Sequence, residues 1–229
     1  MGRAEREETF AVKGSARKGN RTADPRREYF DQLAPDWDTR GQDPRQTLKR
    51  LDGLRDTLDL RAGLDLLEVG CGTGQITAWL SERVRPGRVL GIDFSAEMVK
   101  QARRKHPQME FRVVDVCTDD LGDACFDVVL CFHSFPHFRD KPAALARISR
   151  CLRPGGRLVV MHLAGRETIN ARHTGFGGAV GSDYLPPDDQ WPRLLRPHSL
   201  EPGPLIDRQD LFLLIAVKRT VARVGRSPS

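Results

Sequence analysis

From residue 65 onward, short apolar runs alternate with stretches whose apolar positions recur every three to four residues. The runs at 65–69, 89–93, 110–114, 127–131 and 157–162 have the length and the Val, Ile and Leu content of strands buried on both faces. Helical spacing predicts helices around 76–83, 96–105 and 143–151. It also predicts an earlier one over 45–59, where Leu48, Leu51, Leu54 and Leu58 recur at helical intervals. Such alternation implies right-handed strand–helix–strand units, hence an α/β fold with a mostly parallel sheet and helices on both faces. After residue 162 the pattern weakens. Residues 164–187 are glycine-rich and read as a loop, and Pro192, Pro197, Pro202 and Pro204 rule against one long helix over 188–204. Two closing strands, 205–207 and 211–218, read as an antiparallel hairpin at the sheet edge.

Composition narrows the class. The chain has 229 residues, 39% hydrophobic and 30% charged, which suits one folded domain. No apolar run nears the ~18 residues of a membrane span, and the N-terminus has no apolar signal core, so a soluble cytoplasmic protein is expected. Five cysteines without C-x-x-C spacing indicate neither a disulfide framework nor a zinc knuckle, and no metal is assigned. The net charge of +6 sits in the ends: residues 1–27 hold eight Lys/Arg against four acids, and 218–229 hold four against none. The expected organisation is a flexible basic extension (1–27), a folded domain (28–218) and a basic tail (219–229). The slightly acidic body argues against a nucleic-acid substrate, leaving the tails a weak, salt-sensitive attraction to polyanions.

The turn Glu68-Val69-Gly70-Cys71-Gly72-Thr73-Gly74-Gln75 closes the first of these strands and opens a helix. Its glycines permit a sharp turn and close approach of backbone to a ligand, and the helix beyond offers free N–H groups. The second strand ends in Asp93, where an acid accepts hydrogen bonds from both hydroxyls of a ribose. The third ends near Asp115, placed for the exocyclic amine of an adenine. Singly, each acid reads equally as a helix cap; together, at the carboxyl ends of successive parallel strands, they describe a nucleoside pocket. The G-x-G-x-G spacing with Glu68 ahead of it separates two ligand types. An acid there repels the pyrophosphate of a nicotinamide cofactor and suits the ammonium of an amino-acid tail.

In this setting LEVGCGTG (67–74), GIDFSAEMV (91–99), VVDV (113–116), FDVVLCFHSFPHF (126–138) and LRPGGRLVV (152–160) occur in order. The chain thereby resembles the class I S-adenosylmethionine-dependent methyltransferases, in particular the small-molecule group that includes the menaquinone and ubiquinone C-methyltransferases. The resemblance implies a Rossmann-like fold and S-adenosylmethionine as cofactor. It implies that Gly70, Cys71, Gly72 and Gly74 pass the methionine moiety with Glu68 nearby, and that Asp93 takes the ribose hydroxyls. Phe94 and Met98 then line the adenine, with Asp115 and Val116 on its other side. Cys131, Phe132 and His133 are implied to face the sulfonium and the acceptor. YFDQLAPDWD (29–38) resembles a segment that closes over the cofactor in some members.

Methyl transfer to a small-molecule acceptor is an in-line displacement that depends on alignment and exclusion of water. A base is needed only where the acceptor carries a proton that must leave early. Aromatic faces favour a sulfonium before transfer, with Tyr29, Trp37, Phe132 and Phe138 as candidates. Four of the six histidines (His133, His137, His162 and His173) fall after strands four and five or in the next loop, on the acceptor side. They read as general bases, His133 and His137 first, as metal ligands, or as packed structural rings. Residues 164–186 are expected to form a lid, with Gly175, Gly177, Gly178 and Gly181 as hinges. Arg166, Asn170, Arg172 and His173 are its candidate acceptor contacts. Methylation of RNA or protein, and a non-catalytic cofactor-binding role beside a partner protein, stand as alternatives, and the oligomeric state is open.

Overall fold

The computed structural model describes residues 10, 12, 24–40 and 43–220. The chain enters through α1 (Pro25–Leu33), where the Asp24 carboxylate accepts from the Arg26 backbone N–H and Pro25 takes the first helical position. After a 3-10 turn come α2 (Trp37–Arg40), α3 (Pro44–Asp52) and α4 (Arg55–Leu58). The single helix expected over 45–59 is thus two, because Gly53, a poor helix former, ends α3.

The alternating portion follows as β1 (Leu66–Val69), α5 (Thr77–Val84), β2 (Val89–Asp93), α6 (Ala96–Lys105), β3 (Glu110–Val113), β4 (Phe126–Phe132), α7 (Lys141–Cys151) and β5 (Leu152–His162). The chain then forms α8 (Arg166–Phe176), α9 (Trp191–Leu195), β6 (Leu200–Arg208) and β7 (Leu211–Lys218). The strand order is β3-β2-β1-β4-β5-β7-β6. β1 to β5 are parallel, and β7 runs antiparallel to both β5 and β6, so the expected hairpin closes the edge with β6 outermost. Pro202 and Pro204 sit on that edge strand, the place in a sheet that tolerates a missing N–H. Sequence neighbours feed opposite faces. Leu66, Val128, Val159 and Leu213 pack with α3, α4 and α5, while Leu67, Val129, Val160 and Leu214 pack with α7 and Trp191 of α9. Winding reverses between β1 and β4, which opens a crevice at their carboxyl ends.

Two expectations change. The glycine-rich stretch after His162 begins with a helix, α8, whose inner face is only Ile169 and His173. One buried pair four residues apart is too little periodicity to stand out from a solvated sequence. The folded unit also reaches further toward the N-terminus than residue 28. α1 starts at Pro25, Phe10 stacks on Phe126 with ring centroids 4.7 Å apart, and Val12 is buried. Residues 221–229 lie outside the described residues. Among the described residues no helix is long and apolar enough to cross a membrane, and all five cysteines are free.

Candidate active site

β1 delivers Glu68 to the bottom of the crevice and then turns sharply. Gly70 has φ +74, and a Cβ there would stand 2.3 Å from the Cβ of Ser134, so only glycine lets the turn pass the end of β4. Ser134 fills that notch and donates to the Val69 carbonyl at 2.5 Å. Gly74, also at positive φ, packs the far side of the turn against His106 and Phe111 and does not line the cavity.

The acids named from the sequence converge. Glu68 is 2% exposed, and the Thr77 hydroxyl donates to it at 2.6 Å. Burial pushes its carboxyl up to about 8, with Thr77 working against the shift and Asp93 adding to it. Asp93 accepts from the backbone N–H groups of Gly72 and Ser95, each at 2.9 Å, yet burial still lifts it to about 6. Asp115 accepts from the Cys117 N–H at 2.8 Å, with the Arg27 and Arg139 guanidinium groups at 3.9 and 3.8 Å. These acids share one cavity of about 720 Å³ with Gly70, Cys71, Gly72, Phe94, Met98 and Val116.

α1 and α2 lie over this half of the cavity and are tied to the loops beneath. The Ser95 hydroxyl donates to Asp31 at 2.5 Å, and the Thr73 hydroxyl and Gln75 amide donate to Asp38 at 2.5 and 3.0 Å. Tyr29, Phe30 and Trp37 contribute apolar wall, with Phe30 edge-on to Trp37, Phe94 and His137.

The other half of the cavity carries Phe132, His133, His137, His162, Arg172 and His173, together with Phe138 from the aromatics named above. The histidines form two pairs of different character. His133 Nδ1 and His162 Nδ1 are 3.2 Å apart, and the Leu163 N–H donates to His133 Nε2 at 3.4 Å, so the proton between the rings belongs to His133. Burial holds His133 down to about 3 and His162 well below its ordinary range, so both are neutral. With both nitrogens of His133 engaged, the base expected there has no free lone pair. His137 differs: its Nδ1 donates to Asp183 Oδ2 at 2.7 Å, and Nε2 has no protein partner among the described residues. Arg26 donates to the other Asp183 oxygen at 2.8 Å, and His173 Nδ1 lies 3.0 Å from the Asp183 carbonyl. Burial raises the Asp183 carboxyl, but the hydrogen bonds from His137 and Arg26 outweigh it and hold the group below the usual range.

Besides Gly74, three residues expected at the site lie elsewhere. Cys131 is fully buried in the core, since alternation along β4 sends it to the face opposite Phe132. Arg166 faces Asp207 at 3.3 Å, and Asn170 pins the backbone of Leu185 with two hydrogen bonds. Asp183 and Arg26 were not expected, and nothing in the local pattern marks either one. Among the described residues no group of three or more His, Cys, Asp or Glu is placed to hold a metal ion.

A methyltransferase domain family matches residues 67–160. A 2-phytyl-1,4-naphtoquinone methyltransferase of Thermosynechococcus vestitus is 32% identical over 59% of this chain and 68% of its own length. The nocamycin O-methyltransferase of Saccharothrix syringae is 38% identical over 56% of this chain and 48% of its own. A solved S-adenosylmethionine-dependent methyltransferase from Aquifex aeolicus superposes with a TM-score of 0.60 over 84% of this chain and 98% of that one, at 19% identity. The chain belongs to the class I S-adenosylmethionine-dependent methyltransferases. It spans 37% to 50% of the length of four of the curated relatives it matches, the nocamycin enzyme among them.

Proposed function

We propose that the protein transfers the methyl group of S-adenosylmethionine to a hydroxyl oxygen of a small, largely apolar molecule, with His137 as general base. The observation that carries this reading is the His137–Asp183 pair on the cavity wall. Asp183 accepts the Nδ1 proton and leaves Nε2 as the lone pair that takes the acceptor's proton.

The residues of the other half fit the cofactor. Glu68, buried with a single side-chain partner, suits the ammonium of the methionine tail, and Asp93 suits the ribose hydroxyls. Phe94, Met98, Val116 and Asp115 suit the adenine. When bound, the cofactor supplies a methyl carbon already activated on a sulfonium. The chain has to align that carbon with the acceptor and keep water out, which together can contribute ~7–11 kcal/mol. A cavity of about 720 Å³ must hold both molecules, which favours a compact acceptor over a macromolecule. The nocamycin relative is named as an O-methyltransferase, in keeping with an acceptor whose proton must leave.

The test is turnover with a panel of phenols and hydroxylated polycyclic molecules, scored by S-adenosylhomocysteine release and by mass spectrometry of a methoxy product. His137→Gln is expected to lower kcat by ~10²–10⁴ with cofactor affinity unchanged. Undiminished kcat in that variant refutes the base. Cofactor binding without turnover on any hydroxyl acceptor would instead support a non-catalytic binding protein.

A further inference from the structure

α1 touches both halves of the cavity. On the cofactor side, Asp31 accepts from the Ser95 hydroxyl at 2.5 Å, immediately after Asp93. On the acceptor side, Phe30 lies with its ring centroid 5.0 Å from that of His137, and Arg26 reaches across 157 residues of sequence to Asp183. No other described element makes side-chain hydrogen bonds or ring contacts to both Ser95 and the His137–Asp183 pair.

Asp183 is 4% exposed, and its two oxygens are divided. Oδ2 accepts from His137, and Oδ1 accepts from Arg26 Nε at 2.8 Å, with Nη2 also at 2.8 Å. The other nearby cation, Lys141, is committed elsewhere: its Nζ donates to the carbonyls of Pro136 and Phe138 at 3.0 and 3.2 Å. Arg26 is itself steered by Asp24, which accepts from its backbone N–H at 3.1 Å and from Nη1 at 3.3 Å. A buried carboxylate with one oxygen unpaired is costly and tends to rotate or take a proton. The Asp183 carboxylate therefore keeps its hold on Nδ1 of His137 only while a second donor fixes Oδ1.

We propose that Arg26 is a positioning residue: it completes the His137–Asp183 pair from the covering helix, so that the base is set only when α1 lies down over the cofactor half of the cavity. This inference rests on the reading of His137 as base. By this linkage, ordering of α1 by the cofactor also orders the acceptor side. Cofactor and acceptor then bind with mutual reinforcement, and the coupling is reciprocal.

The experiment compares the full-length wild type with Arg26→Gln and Arg26→Lys, each checked for folding by thermal melting. Three quantities are read: S-adenosylhomocysteine affinity by calorimetry, kcat and KM for an acceptor, and the His137 Nδ1 proton by 15N NMR with S-adenosylhomocysteine bound. In Arg26→Gln, kcat is expected to fall by roughly tenfold to a hundredfold, the cost of a misplaced group remote from the chemistry. Cofactor affinity should fall as well, since the linkage is reciprocal, but by less than kcat, a split that assigns the remaining loss to the reacting geometry. The Nδ1 proton should exchange faster with water, and Arg26→Lys should restore both kcat and proton protection in large part. Unchanged kcat and unchanged proton protection in Arg26→Gln would overturn the proposal. So would a loss confined to cofactor affinity, because Arg26 would then serve the covering helix alone. If His137→Gln retains full turnover, the base reading fails while the Nδ1 signal still reports whether Arg26 fixes the pair.

Discussion

Cofactor binding at neutral pH should expel a proton, and the source is Glu68. The carboxyl is buried, the Thr77 hydroxyl is its one side-chain partner, and burial carries it to about 8. At pH 7 such a group is about nine-tenths protonated. An ammonium placed against it favours the carboxylate and lowers its pKa by ~1–3 units. Forming that pair at pH 7 therefore releases roughly 0.4 to 0.9 of a proton per ligand bound. Other groups contribute little. Asp93, lifted to about 6, is already about nine-tenths ionised at this pH and adds roughly 0.1. The ligand's own α-amino group, with a pKa of ~7.7–8.0, is mostly charged before it binds.

The assay is calorimetric titration with S-adenosylhomocysteine at pH 7 in buffers of different ionisation enthalpy. The slope of apparent enthalpy against buffer enthalpy counts the protons. Adenosine, which lacks the amino-acid tail, should release about 0.1 in the same protein, and Glu68→Gln should reduce the S-adenosylhomocysteine value to about the same level. A slope near zero in the wild type refutes the reasoning. An unchanged slope in Glu68→Gln refutes it equally, because the proton would then come from another group.

Gly70→Ala should destabilise the protein by about 1–3 kcal/mol from backbone strain alone, before the clash with Ser134 is counted. A melting temperature lowered by at least ~2–4 °C per kcal/mol checks it, and Ser134→Gly should relieve only the steric part. His133 gives a pH signature. The unfolded chain protonates this imidazole below about 6.5 and the native protein only near 3. Between these values the unfolded state binds more protons, so stability falls as pH falls, by up to about 5 kcal/mol for the whole interval. His133→Asn, which tolerates the same left-handed backbone, should flatten that dependence. The difference between the two proteins in urea titrations from pH 7 to 4 isolates it, since Glu68 and Asp93 titrate in both.

The parallel core was legible because strands covered on both faces are apolar along most of their length, and β1, β2 and β4 are interrupted only by Glu68, Asp93 and Asp127. The cofactor half was legible for a related reason. Glu68, the glycine turn and Asp93 sit at the ends of such strands and Asp115 two residues past the edge strand β3, so their places followed once the strands were found. Cys131 was misplaced although β4's own period of two separates it from Phe132, which faces the cavity. The acceptor half lacked any such frame. α8 buries only Ile169 and His173, and Asp183 is one acid in a glycine-rich stretch. Its partners His137 and Arg26 lie 46 and 157 residues away, brought to it by packing that no local pattern encodes.

The end of β4 accounts for the unequal histidines. The strand stops at Phe132, and His133 takes φ +56, a conformation a non-glycine residue adopts only when its surroundings hold it there. The His133 N–H stays bonded to the Met161 carbonyl of β5 at 2.9 Å while the chain leaves the sheet. That bend lets Ser134 reach back to Val69 and fill the notch at Gly70, and it starts the 3-10 turn Phe135–His137 that carries His137 to Asp183. His133 is therefore a corner of the scaffold, its imidazole neutral and bonded at both nitrogens, whereas His137 is held by the Asp183 carboxylate through Nδ1 and keeps Nε2 without a protein partner among the described residues. Activity lost on replacing His133 would thus not identify a base, since the same change disturbs the glycine turn and the placement of His137 together. Only a variant that lowers kcat while leaving the melting temperature and the cofactor affinity in place distinguishes chemistry from shape, and the proposed base predicts that behaviour for His137→Gln.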